Sequence, residues 1–307
     1  MTGAVRVAIV GCGRMGTERA RHVDSAGSRI VACVDGDADR ARELSSKYPG
    51  ASALSDTAAV LWSGVDAVFL CTPPSVRLEA VLRAIESGVA VFTEKPIGLS
   101  AVDGRRLTDA ASHRGVLNAV GYMNRYRPAV RKARMSAAES GASGLIGYWA
   151  GKRYAVPWWE RADQSGGPFN EQATHLVDLC RFVCGDIVEV RAVAGTTRDA
   201  GGLSRAAVAA RFESGTIGAL LYTCEAADKH IGLHVITSVG TVELRGWDFI
   251  VQNGSRPPVE PNVFETETHA FLRAVRTGDR GGVLCDFADA TKTQATVDAI
   301  RKCFDAD

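Results

Sequence analysis

The feature that most constrains this chain is Val7-Ala8-Ile9-Val10-Gly11-Cys12-Gly13-Arg14-Met15-Gly16, an apolar run that leads directly into G-x-G-x-x-G. The hexapeptide alone is weak, because a chain with 32 glycines produces such matches by chance. Its setting is what counts. A helical pattern follows over Arg14–Ala26, then a second apolar run over Ile30–Val34, and Asp35 closes that run. A strand, a glycine-rich turn, a helix and a second strand ending in an acid, about 20 residues beyond the turn, make the dinucleotide-binding arrangement. Gly11 permits the tight turn, Gly13 lets the backbone approach a pyrophosphate, and Gly16 lets helix and strand pack closely. The free N–H groups of the helix, starting at Arg14 and Met15, then face the phosphates. Asp35 accepts hydrogen bonds from a ribose 2′-hydroxyl and repels a 2′-phosphate, so NAD is expected. NADP is the second possibility, with Arg40 as the residue that would serve its extra phosphate.

The same alternation continues through the first half. Asp66–Leu70, Val89–Phe92 and Val116–Val120 read as strands, and Asp37–Lys47, Val76–Ser87 and Ala101–Arg114 as helices, with Asp37 as an N-cap. Short apolar strands alternating with helices imply a parallel sheet with its ligand at the strand C-termini. Beyond Tyr122 the pattern changes. Arg127–Ala138 is one more helix, and Gly141–Gly147 reads as small-residue punctuation. From Ile187 onward Val188–Gly195, Ala206–Phe212, Thr216–Cys224, Leu233–Ser238 and Thr241–Arg245 follow one another as strands. Turns are expected at Glu213-Ser214-Gly215 and at Val239-Gly240. Helices over Glu265–Thr277 and Asp286–Phe304 close the chain. The expected fold is α/β: a Rossmann domain over residues 1–121, then an α+β domain over 122–307 on a largely antiparallel, open-faced sheet.

Composition removes several classes of function. The net charge is +1, and the basic residues form no stripe, so nucleic acid is not an expected partner. No apolar run approaches the ~18–20 residues that span a bilayer. The first residues read as a strand, not as a secretory signal. None of the eight cysteines forms a C-x-x-C pair and several lie in apolar runs, which points to reduced thiols and a cytoplasmic location.

Two further segments sit at strand ends. In Cys71-Thr72-Pro73-Pro74-Ser75 the prolines end a strand and Ser75 is placed to cap the next helix; Thr72 and Pro73 should border the cofactor. Glu94-Lys95-Pro96 follows Val89–Phe92 and brings a lysine to the nicotinamide end of the site. Together with Gly121-Tyr122-Met123-Asn124-Arg125-Tyr126, these segments resemble the glucose–fructose oxidoreductase / inositol dehydrogenase / rhizopine-catabolism family (Gfo/Idh/MocA). Gly166-Gly167-Pro168-Phe169-Asn170-Glu171-Gln172-Ala173-Thr174-His175-Leu176-Val177-Asp178 resembles that family's G-G-x-x-x-D-x-G-x-H-x-x-D segment, so the resemblance runs through nearly the whole chain.

The resemblance implies redox chemistry on sugars, cyclitols or their derivatives, without metal. It also implies a second-domain sheet that forms the oligomer contact, and a cis Lys95–Pro96 bond. Lys95 matches the family's catalytic lysine and His175 its catalytic histidine. Glu171 and Ala173 stand where the family usually has Asp and Gly; Glu171 is counted in the catalytic set as a group that hydrogen-bonds the imidazole one turn on, the alternative being a cap of the helix N-terminus. Oxidising a carbinol requires taking the hydroxyl proton, a task suited to histidine; an ammonium stabilises the developing alkoxide. His175 is read as proton carrier and Lys95 as oxygen-binding partner, the reverse assignment staying open. Glu94 and Lys95 are also counted among the cofactor contacts. Asn124, Arg125, Arg153, Trp158, Trp159, Asn170 and Gln172 are candidate substrate contacts, the tryptophans as stacking surfaces for a sugar ring. A homodimer or homotetramer is expected. The competing readings are reduction of an imine or another non-sugar carbonyl, and a catalytically silent cofactor-binding regulator.

Overall fold

Runs that are apolar on both alternations are strands covered on both faces. Val7–Val10, Ala67–Leu70 and Ala90–Thr93 are buried residue after residue in the computed structural model, which describes residues 3–196, 203–246, 250–251 and 262–304. In chain order the strands and helices begin with β1 (Arg6–Val10), α1 (Arg14–Ser25), β2 (Arg29–Val34), α2 (Ala38–Ser45), β3 (Ser52–Leu54) and β4 (Ala67–Leu70). There follow α3 (Leu78–Glu86), β5 (Ala90–Glu94), α4 (Ala101–Arg114), β6 (Asn118–Gly121), α5 (Pro128–Ser140), β7 (Ala142–Ala150), α6 (Ala162–Ser165) and α7 (Thr174–Cys184). The last are β8 (Ile187–Thr196), β9 (Leu203–Phe212), β10 (Ile217–Thr223), β11 (His230–Thr237), β12 (Gly240–Arg245), β13 (Ile250–Val251), α8 (Val263–Thr277) and α9 (Phe287–Lys302).

By contact the chain divides into two units. The first holds the N-terminal stretch through Gly98 together with Val102–Met123 and Asn262–Asp289. Its six strands run in the order β3-β2-β1-β4-β5-β6, all paired in parallel. That is the doubly wound order, whose ligand crevice opens where the winding reverses, beyond the C-termini of β1 and β4. The aromatic centre of this unit is Phe69 stacked on Phe92 at 4.8 Å, with the edge of Phe271 against both. Phe271 belongs to α8, which packs on α1. A single cut after residue 121 therefore does not describe the first unit, because a segment from near the chain's end completes its core.

The second unit carries seven strands in the order β13-β12-β11-β7-β10-β9-β8. Every pair is antiparallel except β7 with β10. The two expected hairpin turns are present, with Gly215 and Gly240 at positive φ. The sheet's central strand β7 lies where the sequence reads as punctuation. Its glycines hide it, and packing explains them. A Cβ at Gly147 would sit 3.0 Å from Leu176 and 3.3 Å from the Cys180 thiol, so the glycine admits α7 onto the sheet. The three-residue β3 and two-residue β13 also have no clear sequence signal. Ser75 does not cap α3: it lies in a 3-10 turn over Pro74–Val76, and no side-chain bond caps the helix, which begins at Leu78. All eight cysteines are free thiols. Among the described residues no helix is long and apolar enough to cross a membrane.

Candidate active site

In the first unit the three motif glycines do different things. Gly11 has φ +90°, and a Cβ there would lie 2.8 Å from the Cys71 carbonyl carbon, so the turn after β1 and the turn after β4 touch through backbone alone. A Cβ at Gly16 would overlap the Gly11 carbonyl oxygen. Gly13 is the exception: its φ is an ordinary −75° and a Cβ there would meet nothing. The fold itself does not require glycine at 13. Gly13 is the N-cap of α1 and makes no side-chain cap bond, and Arg14 and Met15 form the first turn behind it. Asp35 is fixed by two backbone donors, Cys12 N–H at 2.7 Å and Asp37 N–H at 2.9 Å. Its carboxylate oxygens keep lone pairs for a ribose hydroxyl. Asp37 accepts from the amides of Asp39 and Arg40, the N-cap expected. Arg40 is exposed and reaches Asp37 at 3.4 Å. Thr72 Oγ1 is buried without a hydrogen-bond partner in the turn that faces Gly11. An open glycine surface, a fixed carboxylate and a buried hydroxyl fit a dinucleotide.

The turn after β5 is held by two arginines that sequence reasoning missed. Arg19 is fully buried. Its guanidinium pairs with Glu94 at 2.8 Å and Glu267 at 2.6 Å, bonds Thr268 and the Phe264 carbonyl, and lies over the Phe92 ring at 4.4 Å. Burial works against its charge, but Glu94 and Glu267 outweigh burial and hold the group charged. Glu94 thus faces inward as an anchor of the turn, not outward as a cofactor contact. Arg77, also buried, donates to the Thr72, Glu94 and Pro96 carbonyls. Lys95, between the last two acceptors, is half-buried, and its bond to Pro96 is cis as expected. Nearby, burial and the Glu94 charge push the Cys71 thiol far up, so it behaves as an inert apolar group. Arg19 did leave a trace in the sequence: it shares the buried stripe of α1 with Gly16, Ala20, His22 and Val23 and is the one guanidinium among them. Arg77 left none.

In the second unit His175 stands in the first turn of α7, directly after a π-helical turn over Phe169–Ala173. Single π turns recur at functional sites. The imidazole is buried and stacks on Trp149 of β7, ring centroids 5.1 Å apart and planes 7° apart. Trp149 lay in the unrecognised strand and so was missed. Tyr222 of β10 pins the turn from below: its hydroxyl donates to the Pro168 carbonyl at 3.0 Å and lies 3.2 Å from Gln172 Oε1. Burial raises the Tyr222 phenol well above its usual range, so it remains a donor.

Several expected substrate contacts prove to be internal. Arg125 forms a two-pronged ion pair with Asp178, at 2.9 and 2.5 Å, with both side chains buried. Asp178 also accepts from Thr293 at 3.1 Å. Asn170 donates to the Ser165 carbonyl and accepts from Gln294, and Gln172 donates to the Lys152 carbonyl. Asn124 is buried and accepts from Arg127 at 3.0 Å. Trp159 is fully buried against Tyr154, a core anchor and not a stacking platform. Arg125, Asp178, Asn170 and Gln172 thus bond within their own unit, as buried polar groups must, whereas Asn124 Nδ2 and Trp159 Nε1 are buried without a hydrogen-bond partner. Trp158 and Arg153 are half-buried, Arg153 lying 3.8 Å from Glu160 and 3.6 Å from Glu225. Glu171 is buried in the π-helical turn directly before the helix that carries His175.

Comparison with known proteins bears on the whole chain. Residues 5–122 match the model of the Gfo/Idh/MocA oxidoreductase family, NAD-binding Rossmann fold, and residues 138–243 match the C-terminal domain of the same family. A scyllo-inositol 2-dehydrogenase (NAD(+)) from Bacillus subtilis is 27% identical over 91% of this chain and 88% of its own. Inositol 2-dehydrogenase 3 from Saccharopolyspora erythraea is 34% identical over 59% of this chain and 54% of its own. Among solved structures, the WlbA dehydrogenase from Bordetella pertussis, in complex with NADH and UDP-GlcNAcA, superimposes with a TM-score of 0.87 at 21% identity, covering 99% of this chain and 97% of that one.

Proposed function

Because this chain belongs to the Gfo/Idh/MocA family of NAD-dependent oxidoreductases, we propose that it transfers a hydride between NAD and the carbinol carbon of a cyclitol or sugar, with Lys95 and His175 as its catalytic side chains. The observation that carries this reading is the Glu94-Lys95-Pro96 turn: a lysine set at the C-terminal edge of the parallel sheet that also ends in the phosphate loop. NAD, when bound, accepts the hydride in one direction and returns it in the other. The protein handles the rest. As the carbon becomes a carbonyl, the hydroxyl proton passes to His175, whose ring plane Trp149 fixes. Lys95 donates a hydrogen bond to the same oxygen and stabilises its developing charge. Glu171, one turn before His175, orients the imidazole. Gly11, Gly13, Arg14, Met15, Gly16, Asp35, Thr72 and Pro73 hold the cofactor, and Arg153 and Trp158 are the substrate contacts retained from the sequence reading.

Two wider features belong to the same reading. Among the described residues, α7 packs on β7 and α5 on β11 and β12 of the second unit's sheet. Ile146, Ala219 and Ala209 line up across β7, β10 and β9, followed by Tyr148, Leu221 and Ala207. Ile217, Leu221 and Val193 are 56%, 52% and 76% exposed. Soluble proteins seldom leave such a face bare, and a symmetric partner is the usual cover, so the working form is a homo-oligomer. Eight free thiols favour a reducing compartment, the cytoplasm.

The test is absorbance at the reduced-nicotinamide band during incubation with NAD and a panel holding myo-inositol, scyllo-inositol and simple sugars. Reduction of NAD by at least one polyol is expected. No turnover with any member, and none of NADH with the matching ketones, would overturn the reading.

A further inference from the structure

We propose that Arg77 is the positioning residue of Lys95; the proposal rests on the reading of Lys95 as a catalytic group. Arg77 is 2% exposed and lies at the N-terminus of α3, where its own carbonyl accepts the first helical bond from Val81 at 3.0 Å. Its backbone is therefore fixed, and its guanidinium reaches back to the sheet edge. One terminal nitrogen donates to both the Glu94 and Pro96 carbonyls, and the other to the Thr72 carbonyl. The first two acceptors bracket Lys95 on either side. The third belongs to the turn whose backbone touches Gly11 of the phosphate loop. A single planar side chain thus couples the peptides around Lys95 to the turn that borders the cofactor.

The chemistry suits arginine and no other residue. The guanidinium presents donors in a fixed plane, whereas an ammonium is a point charge on a flexible stem and a neutral amide has only two donors. A buried guanidinium is a large group with which to close a turn that helix caps and short side chains close elsewhere. What it adds is stiffness on both sides of one residue. Arg19 anchors the Glu94 side chain of the same turn; Arg77 fixes its backbone. With the backbone released, Lys95 would sample positions from which its ammonium misses the reacting oxygen, and misplacement by about 1 Å can cost ~100-fold in rate.

The experiment compares wild type, Arg77→Lys and Arg77→Gln in the full-length protein. Amide hydrogen exchange without cofactor should quicken by ~10-fold or more in peptides spanning 71–76 and 93–99 and stay unchanged over the phosphate loop and the second unit. NADH affinity, read by fluorescence, should stay within ~3-fold, while kcat on a polyol from the panel falls ~100-fold at nearly constant KM for NAD. The exchange readout needs no substrate, so it separates failure of this proposal from failure of the functional reading. Exchange that rises everywhere, NADH binding lost in step with turnover, or an Arg77→Lys variant that does not fold would each make Arg77 a general structural residue and overturn the proposal. So would an Arg77→Lys protein with normal exchange over 93–99.

Discussion

The phosphate loop with its neighbouring turns and the Gly166–Asp178 segment carry equally dense motifs, but the folded chain treats them in opposite ways. In the first, the motif residues leave something open: a Cβ at Gly13 would meet nothing, Asp35 keeps lone pairs, and Thr72 Oγ1 is buried with no partner. In the second, the polar motif residues close on one another. Asn170 bonds Ser165 and Gln294, Gln172 bonds Lys152 and Tyr222, and Asp178 holds Arg125. On the proposed reading both segments serve function, one by contact with ligand and one by building the platform under His175.

Substitutions can break this contrast. The largest effect is expected within the phosphate loop. Gly16→Ala places a methyl group into the Gly11 carbonyl and should cost about 3 kcal/mol or more, or prevent folding outright. Gly13→Ala should fold normally, shown by an unchanged urea midpoint, yet lose at least ~10-fold in NADH affinity. If both behave alike, Gly13 is not kept open for a ligand. Next comes Asp178→Asn, which strands the Arg125 charge in the interior and should lower stability by ~3–5 kcal/mol in urea unfolding. An unaltered midpoint would return Arg125 to the list of substrate contacts. Asn170→Ala removes two internal bonds and should cost ~1–3 kcal/mol while leaving the polyol KM within a small factor. A large KM change at constant stability would reverse the assignment. The smallest effect is expected at Asp35, where exchange for Ser should move the NADPH-to-NADH preference by about tenfold, ~1.4 kcal/mol, read by fluorescence titration. Equal binding of both cofactors to the wild type would already contradict the role given to Asp35.

The first unit was the more legible because its signals are local. β1, the glycines, α1 and Asp35 follow one another within 35 residues, and apolar strands alternating with helices announce a parallel sheet. What stayed hidden there was long-range: α8 completing the core from the far end of the chain, and Arg19 joining Glu94 to Glu267. In the second unit the hairpins at Gly215 and Gly240 were legible, but β7 was not. Gly144 and Gly147 look like breakers in sequence, whereas in space a Cβ there would lie 3.3 Å from Ile236 and 3.0 Å from Leu176. With β7 unseen, Trp149 and its stack on His175 were unseen too. The same reason explains Asn170 and Gln172: hydrogen-bond partners 124 and 20 residues away cannot be read from the segment itself.

The central claim is that Lys95 and His175 carry the chemistry while the glycine loop and Asp35 carry the cofactor. The most direct measurement is turnover and NADH affinity, side by side, in Lys95→Ala and His175→Ala, on whichever polyol the panel identifies. Each variant should lose at least ~100-fold in kcat while binding NADH nearly as the wild type does. Near-normal turnover in either variant, or a loss of NADH binding that matches the loss of turnover, would contradict the account.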